Sequence, residues 1–124
     1  MTTEELYESI GGDYVEAIGR FYMDGIVAQF VVKLLNDTSC DDLFKAWEIQ
    51  DIKAAFEAAH RAKGVCANLS LRRLAELTSE ICEALRPGNE ALRASTDVNA
   101  LVDELKQQYA MAIHRISAFA AEQQ

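Results

Sequence analysis

Residues 98–121 read VNALVDELKQQYAMAIHRISAFAA. Val98, Leu101, Val102, Leu105, Tyr109, Ala112, Ile113, Ile116 and Phe119 recur at steps that keep one face of an α-helix apolar, with polar residues on the other faces. Ser95, Thr96 and Asp97 supply candidate N-caps just ahead of it. A stripe this long has to be covered by other elements, and the rest of the chain supplies helices only. Upstream, Leu71, Leu74, Leu77 or Thr78, Ile81, Cys82 and Leu85 form a second stripe, with Ser70 as its N-cap and Pro87-Gly88 as its stop. Before it, Ile52, Ala55, Phe56, Ala59, Ala62, Cys66 and Leu69 form a third. Leu43, Phe44 and Trp47 belong to a shorter run, which either joins the third stripe or bends away from it near Gln50. A fourth stripe, from Ile26 to Leu35, stops at Asn36-Asp37. Glu4 to Ile10 and Asp13 to about Gly19 are short helices separated by Gly11-Gly12. Four one-sided helices with short connections predict an all-α antiparallel four-helix bundle, its short N-terminal helices covering one end.

Composition agrees. The chain has 124 residues, six of them Gly and one Pro, with 50% hydrophobic and 26% charged residues. That is one domain's length, able to bury about two thirds of the unfolded surface. The composition excludes disorder and a membrane span. A net charge of −8 argues against nucleic acid and anionic lipid and in favour of protein or small-molecule partners. Cys40, Cys66 and Cys82 are odd in number and not closely paired in sequence, as expected of inert thiols in a reducing cytoplasm. Met1 to Glu8 is acidic and polar, unlike an export leader.

Motifs for nucleotide phosphates, Cys-x-x-Cys pairs and zinc helices are missing, so neither a cofactor, a metal nor an ATP-dependent enzyme is expected. His114 sits between Ile113 and Ile116 and reads as a boundary residue. Trp47 reads as core or cap. The segment Ala58-Ala59-His60-Arg61-Ala62-Lys63-Gly64 is different. With the helix core centred on Ala59, Ala62 and Cys66, His60 points to solvent, and Lys63, Gly64 and Ala67 share its face. An exposed imidazole, with a reference pKa of about 6.5, keeps a lone pair at neutral pH that can accept a phosphoryl group. A lysine one turn on can stabilise the oxygens that gain charge. Glycine inside a helix costs about 1 kcal/mol relative to alanine, so Gly64 implies a need for clearance beside the ring.

These residues resemble the histidine-containing phosphotransfer (HPt) domains of two-component phosphorelays. Ala58-Ala59-His60, Lys63-Gly64 and Asn68-Leu69 match that family's motif in order and spacing. Gly12-Asp13-Tyr14, Arg20-Phe21, the Ile26 to Leu35 helix, Asp51 and Arg86-Pro87-Gly88 extend the similarity over about Gly11 to Tyr109. Residues 1–124 then form a single HPt-like domain. The resemblance implies that His60 accepts phosphate, Lys63 stabilises it, and Gly64 clears the way for a receiver domain. Arg61 and Ala67 are expected at the docking surface. The chain would be a cytoplasmic, monomeric carrier and not an enzyme. It would take phosphate from a receiver-domain aspartate and pass it to a response-regulator receiver that brings its own Mg²⁺, with a hybrid sensor histidine kinase among its partners. It departs from the family at Arg61-Ala62, where many members have Thr-Leu, and at Ser70, where a glycine often stands. A helical docking module that accepts no phosphate is the alternative, and a phosphatase acting on a receiver is a third reading.

Overall fold

In the computed structural model, which describes residues 1–123, the chain forms eight α-helices. They are α1 Thr3–Ser9, α2 Tyr14–Phe21, α3 Asp24–Val32, α4 Ser39–Glu48, α5 Ile52–Asn68, α6 Arg72–Leu85, α7 Glu90–Ser95 and α8 Val98–Glu122, with a 3₁₀ turn over Lys33–Asn36 after α3. No strand occurs among the described residues.

α8 follows the stripe read from its sequence. Its buried residues are Val98, Val102, Leu105, Tyr109, Ala112, Ile116 and Phe119, alternating steps of four and three. That average spacing of 3.5 keeps a seam on one side of the helix. Asp97 caps it, its carboxylate accepting the Ala100 N–H at 3.0 Å. α5 buries only small side chains, Ala55, Ala58, Ala59, Ala62 and Cys66. Small residues let helices approach closely, so α5 lies between α4 and α6 and packs extensively on both. α6 brings the bulk, with Leu74, Leu77, Ile81 and Leu85 buried, and packs in turn on α8. Leu77 and Thr78 are both buried, because the Thr78 hydroxyl donates back to the Leu74 carbonyl at 2.8 Å.

The helices break where the backbone turns left-handed. Gln50 has φ +57°, and Asp51 caps α5 by accepting the Ala54 N–H at 3.1 Å, so α4 and α5 are separate helices. α7 has no counterpart in the sequence reading, for it buries no residue and so leaves no apolar stripe. The expected Ser70 N-cap is overturned. Ser70 has φ +57° and Leu71 occupies the cap position without a side-chain bond. The Ser70 hydroxyl instead accepts from the Arg20 guanidinium at 2.9 Å. A left-handed residue explains why glycine suits this position.

The N-terminal helices cover the end of the bundle where α5 turns into α6, and they grip that turn. The Tyr7 hydroxyl donates to the Leu69 carbonyl at 2.8 Å, and the Asp13 N–H donates to the Ser70 carbonyl at 2.8 Å. Arg20 also donates to the carbonyls of Ala67 and Asn68, at 3.0 and 2.7 Å. These carbonyls lie at a helix C-terminus, where a cation is favoured. Gly11 and Gly12 make the approach possible. Gly11 has φ +72°, and a Cβ on Gly12 would lie 2.6 Å from the Tyr7 ring.

Ser70 carries a testable consequence. Alanine keeps the left-handed cost and loses the Arg20 acceptor, whereas glycine loses the acceptor but relieves the backbone. Ser70→Ala is therefore expected to destabilise by more than Ser70→Gly, the gap being about 1 kcal/mol in urea unfolding.

All three cysteines are buried. The fold brings Cys40 and Cys66 together, distant in sequence but on the packed helices α4 and α5. The neighbouring Cys66 thiol, with burial, pushes Cys40 well above the ordinary thiol range. Burial likewise raises Cys82. A thiol held neutral is a poor nucleophile.

Candidate functional site

His60 stands on the outer face of α5, and Ala59 and Ala62 on either side of it in sequence are fully buried. The wheel that places the alanines in the core thus leaves the imidazole at the surface. Phe56, one turn earlier, reads from sequence as core but is only half-buried. Its ring lies 6.1 Å from the imidazole, centroid to centroid. Phe56, Glu57, His60, Arg61 and Arg86 line a shallow open depression.

Lys63 follows one turn later and faces α6. Its Nζ is 3.9 Å from Glu83 Oε1. Gly64 is exposed, and a Cβ built there would meet nothing within 4 Å. Nothing inside the fold therefore requires a glycine at this position. Ala67 is exposed one further turn on, and with Lys63, Arg20, Arg72 and Glu76 it lines a groove of roughly 520 Å³ between α5, α6 and α2.

The C-terminal end of α6 and its cap residue contribute two charged groups, Glu83 and Arg86, to which the sequence reading gave no site role. Arg86 donates to Glu83 at 2.9 and 3.2 Å, and its guanidinium lies 5.2 Å from the Phe56 ring centroid. That stacking holds a second cation at the edge of the depression that contains His60. The Arg86 hydrogen bond holds the Glu83 carboxyl below its ordinary range, and the charges of Arg86 and Lys63 act in the same direction. In sequence, Pro87-Gly88 reads as the helix stop and Arg86 enters only with the family resemblance, which gives it no role. The available signal was the hairpin itself, because an antiparallel pair turning at Ser70 lays the last turn of α6 beside the turn of α5 that carries His60.

Arg61 is exposed but not free. It donates to Asp42 of α4 at 3.2 Å and spans the α4–α5 interface. His114 is exposed on α8, in a separate pocket with Phe44 and Lys106. Trp47 is half-buried, its indole N–H donating to Asn99 at 2.9 Å and tying α4 to α8. Among the described residues no group of three or more His, Cys, Asp or Glu side chains is arranged to hold a metal ion. No helix among them is long and apolar enough to cross a membrane.

Comparison with curated proteins and with solved structures returns no significant match. The family model for the Hpt domain matches residues 28–115, well over half of the chain. The matched stretch runs from α3 through most of α8 and contains the whole α5–α6 hairpin. Gly12-Asp13-Tyr14 and Arg20-Phe21, whose Asp13 and Arg20 grip that hairpin, lie ahead of it. The chain, an all-helical bundle with an exposed histidine on one of its central helices, belongs to the Hpt domain family, whose members serve phosphotransfer in two-component signalling.

Proposed function

We propose that the chain is a phosphorelay carrier whose phosphoaccepting residue is His60. A neutral ring nitrogen attacks the phosphorus of an aspartyl phosphate on a receiver domain. The N–P bond forms as the bond from phosphorus to the aspartyl oxygen breaks, and the aspartate leaves as a carboxylate with that electron pair. The ring is left cationic and sheds its remaining N–H proton to water. The reverse exchange, with a second receiver's aspartate as nucleophile, delivers the phosphoryl group onward. Lys63 stabilises the phosphoryl oxygens, and Gly64 leaves room for the receiver beside the ring. Ala67 and the adjoining groove extend the docking surface, with Arg61 at its other edge. The chain acts as one domain, a monomer in the cytoplasm, between receivers and a hybrid sensor kinase, and it catalyses no reaction of its own.

The observation that carries this reading is Gly64. A helical glycine that no neighbour in the chain requires, one turn from an exposed histidine and next to a lysine, is explained by the approach of another protein's surface. The test is incubation with a phosphorylated receiver, followed by a search for acid-labile, base-stable phosphate on the chain. If none appears with several cognate receivers, the chain is a docking module and the carrier reading falls.

Lys63 has its own test. Lys63→Ala removes a charge-assisted contact worth about 1.5–3 kcal/mol in the transition state, so transfer is expected to slow roughly ten- to a hundredfold. Unchanged single-turnover rates would remove Lys63 from the mechanism. The Lys63 ion pair with Glu83 is exposed, so folding stability should move by less than about 1 kcal/mol.

A further inference from the structure

Beside the His60 depression, which Glu57, Arg61 and Arg86 also line, one carboxylate of α6 holds two cations. Glu83 lies between Lys63, at 3.9 Å, and Arg86, at 2.9 Å. Arg86 is also stacked over Phe56, whose ring flanks the imidazole. Lys63 and Arg86 are therefore already engaged by one carboxylate from α6, while Arg61, the third cation beside His60, is paired with Asp42 of α4. We propose that Glu83 is the placeholder counter-ion of this site, holding Lys63 and Arg86 beside His60 and releasing them to the phosphoryl group when His60 is phosphorylated. The proposal rests on the reading of His60 as the acceptor.

The direction of the exchange follows from charge. A phosphoryl group carries about −1.5 to −2 and three strong acceptor oxygens, so it competes well against a single carboxylate for a lysine and an arginine. Once they move, Glu83 is left beside a group of like charge. Its carboxylate thus stabilises the empty site and destabilises the loaded one. It forms no bond to phosphorus and moves no proton. Its effect is on the partition of phosphate between this chain and the receiver, making the chain a readier donor.

The experiment brings wild type, Glu83→Gln and a remote control, Glu8→Gln, to equilibrium with the same phosphorylated receiver. The readout is the ratio of phosphorylated chain to phosphorylated receiver. Removing one negative charge several ångströms from a near-dianion at an open site is expected to raise that ratio about five- to tenfold in Glu83→Gln. The gain should shrink at about 1 M salt, where the Debye length is near 3 Å. Glu8→Gln makes the same change in net charge on α1 and should leave the ratio at the wild-type value. In wild type, the ¹⁵N–¹H signal of the Arg86 Nε should shift on phosphorylation as the guanidinium changes partner. An unchanged or lowered ratio in Glu83→Gln, an equal rise in Glu8→Gln, or an Arg86 signal indifferent to phosphorylation would each overturn the placeholder role. Absence of label from wild type itself marks a different failure, that of His60 as acceptor, and removes this proposal with it.

Discussion

His60→Gln is expected to take no phosphate from a phosphorylated receiver while folding as the wild type does. Glutamine matches or exceeds histidine in helix propensity and leaves no cavity at an exposed position, so stability should change by no more than about 0.5 kcal/mol. The chemistry changes completely. An amide nitrogen has its lone pair delocalised into the carbonyl, and no nitrogen nucleophile remains at that place on α5. His114 provides an internal comparison. It is also exposed, but it lies on α8 in a pocket of its own, away from the Lys63-Gly64 pair. If exposure alone sufficed, His60→Gln would retain label through His114. Label reduced to background in His60→Gln is the expected outcome, and equal labelling of the two proteins would show that the acceptor is elsewhere.

Enlarging Gly64 is expected to separate stability from transfer. A Cβ at this position meets nothing within 4 Å, and glycine is about 1 kcal/mol less favourable than alanine in a helix interior. Gly64→Ala and Gly64→Gln should both therefore melt higher than wild type. The glutamine side chain would nevertheless occupy the space beside the imidazole that an incoming receiver needs. Displacing reacting groups by about 1 Å can cost on the order of 10²-fold in rate, and transfer from a receiver to Gly64→Gln is expected to fall by about that factor. Gly64→Ala should fall between the two. A small donor such as phosphoramidate needs no docking surface, so its reaction with Gly64→Gln should stay within about twofold of wild type. A Gly64→Gln protein that exchanges with receivers at the wild-type rate would dispose of the clearance argument.

Much of the bundle was legible because burial leaves a periodic trace. α8 could be read closely, since every buried position lies on one seam and Asp97 marks its start; only Leu101 and Ile113, named with the stripe, are left partly buried at its margin. The face of α5 could be read as well, because a helix whose core positions are Ala and Cys leaves its large and charged residues on the other sides. α7 was invisible for the converse reason: it buries nothing, so no pattern distinguishes it from a loop. Ser70 was misread because a serine ahead of a leucine-rich run has two physical uses. It can cap the following helix, or it can take a left-handed turn and offer its hydroxyl elsewhere. Arg20, fifty residues away, selects the second use. Phe56 falls at the margin of its stripe, where spacing alone does not separate a core ring from one that flanks a surface site.

Sequence alone determined the helical class, the exposed position of His60 and its company along α5, because those depend on the local period of a single helix. Tertiary structure decided what the site contains besides. Glu83 and Arg86 reach His60 only through the α5–α6 hairpin, whose turn is gripped by Tyr7, Asp13 and Arg20 from the N-terminal helices. Charge on an exposed helix end has no periodic signature, and its meaning depends on which helix lies opposite. The negative group that governs the two cations is therefore a property of the packed bundle, while the nucleophile and its glycine belong to one helix.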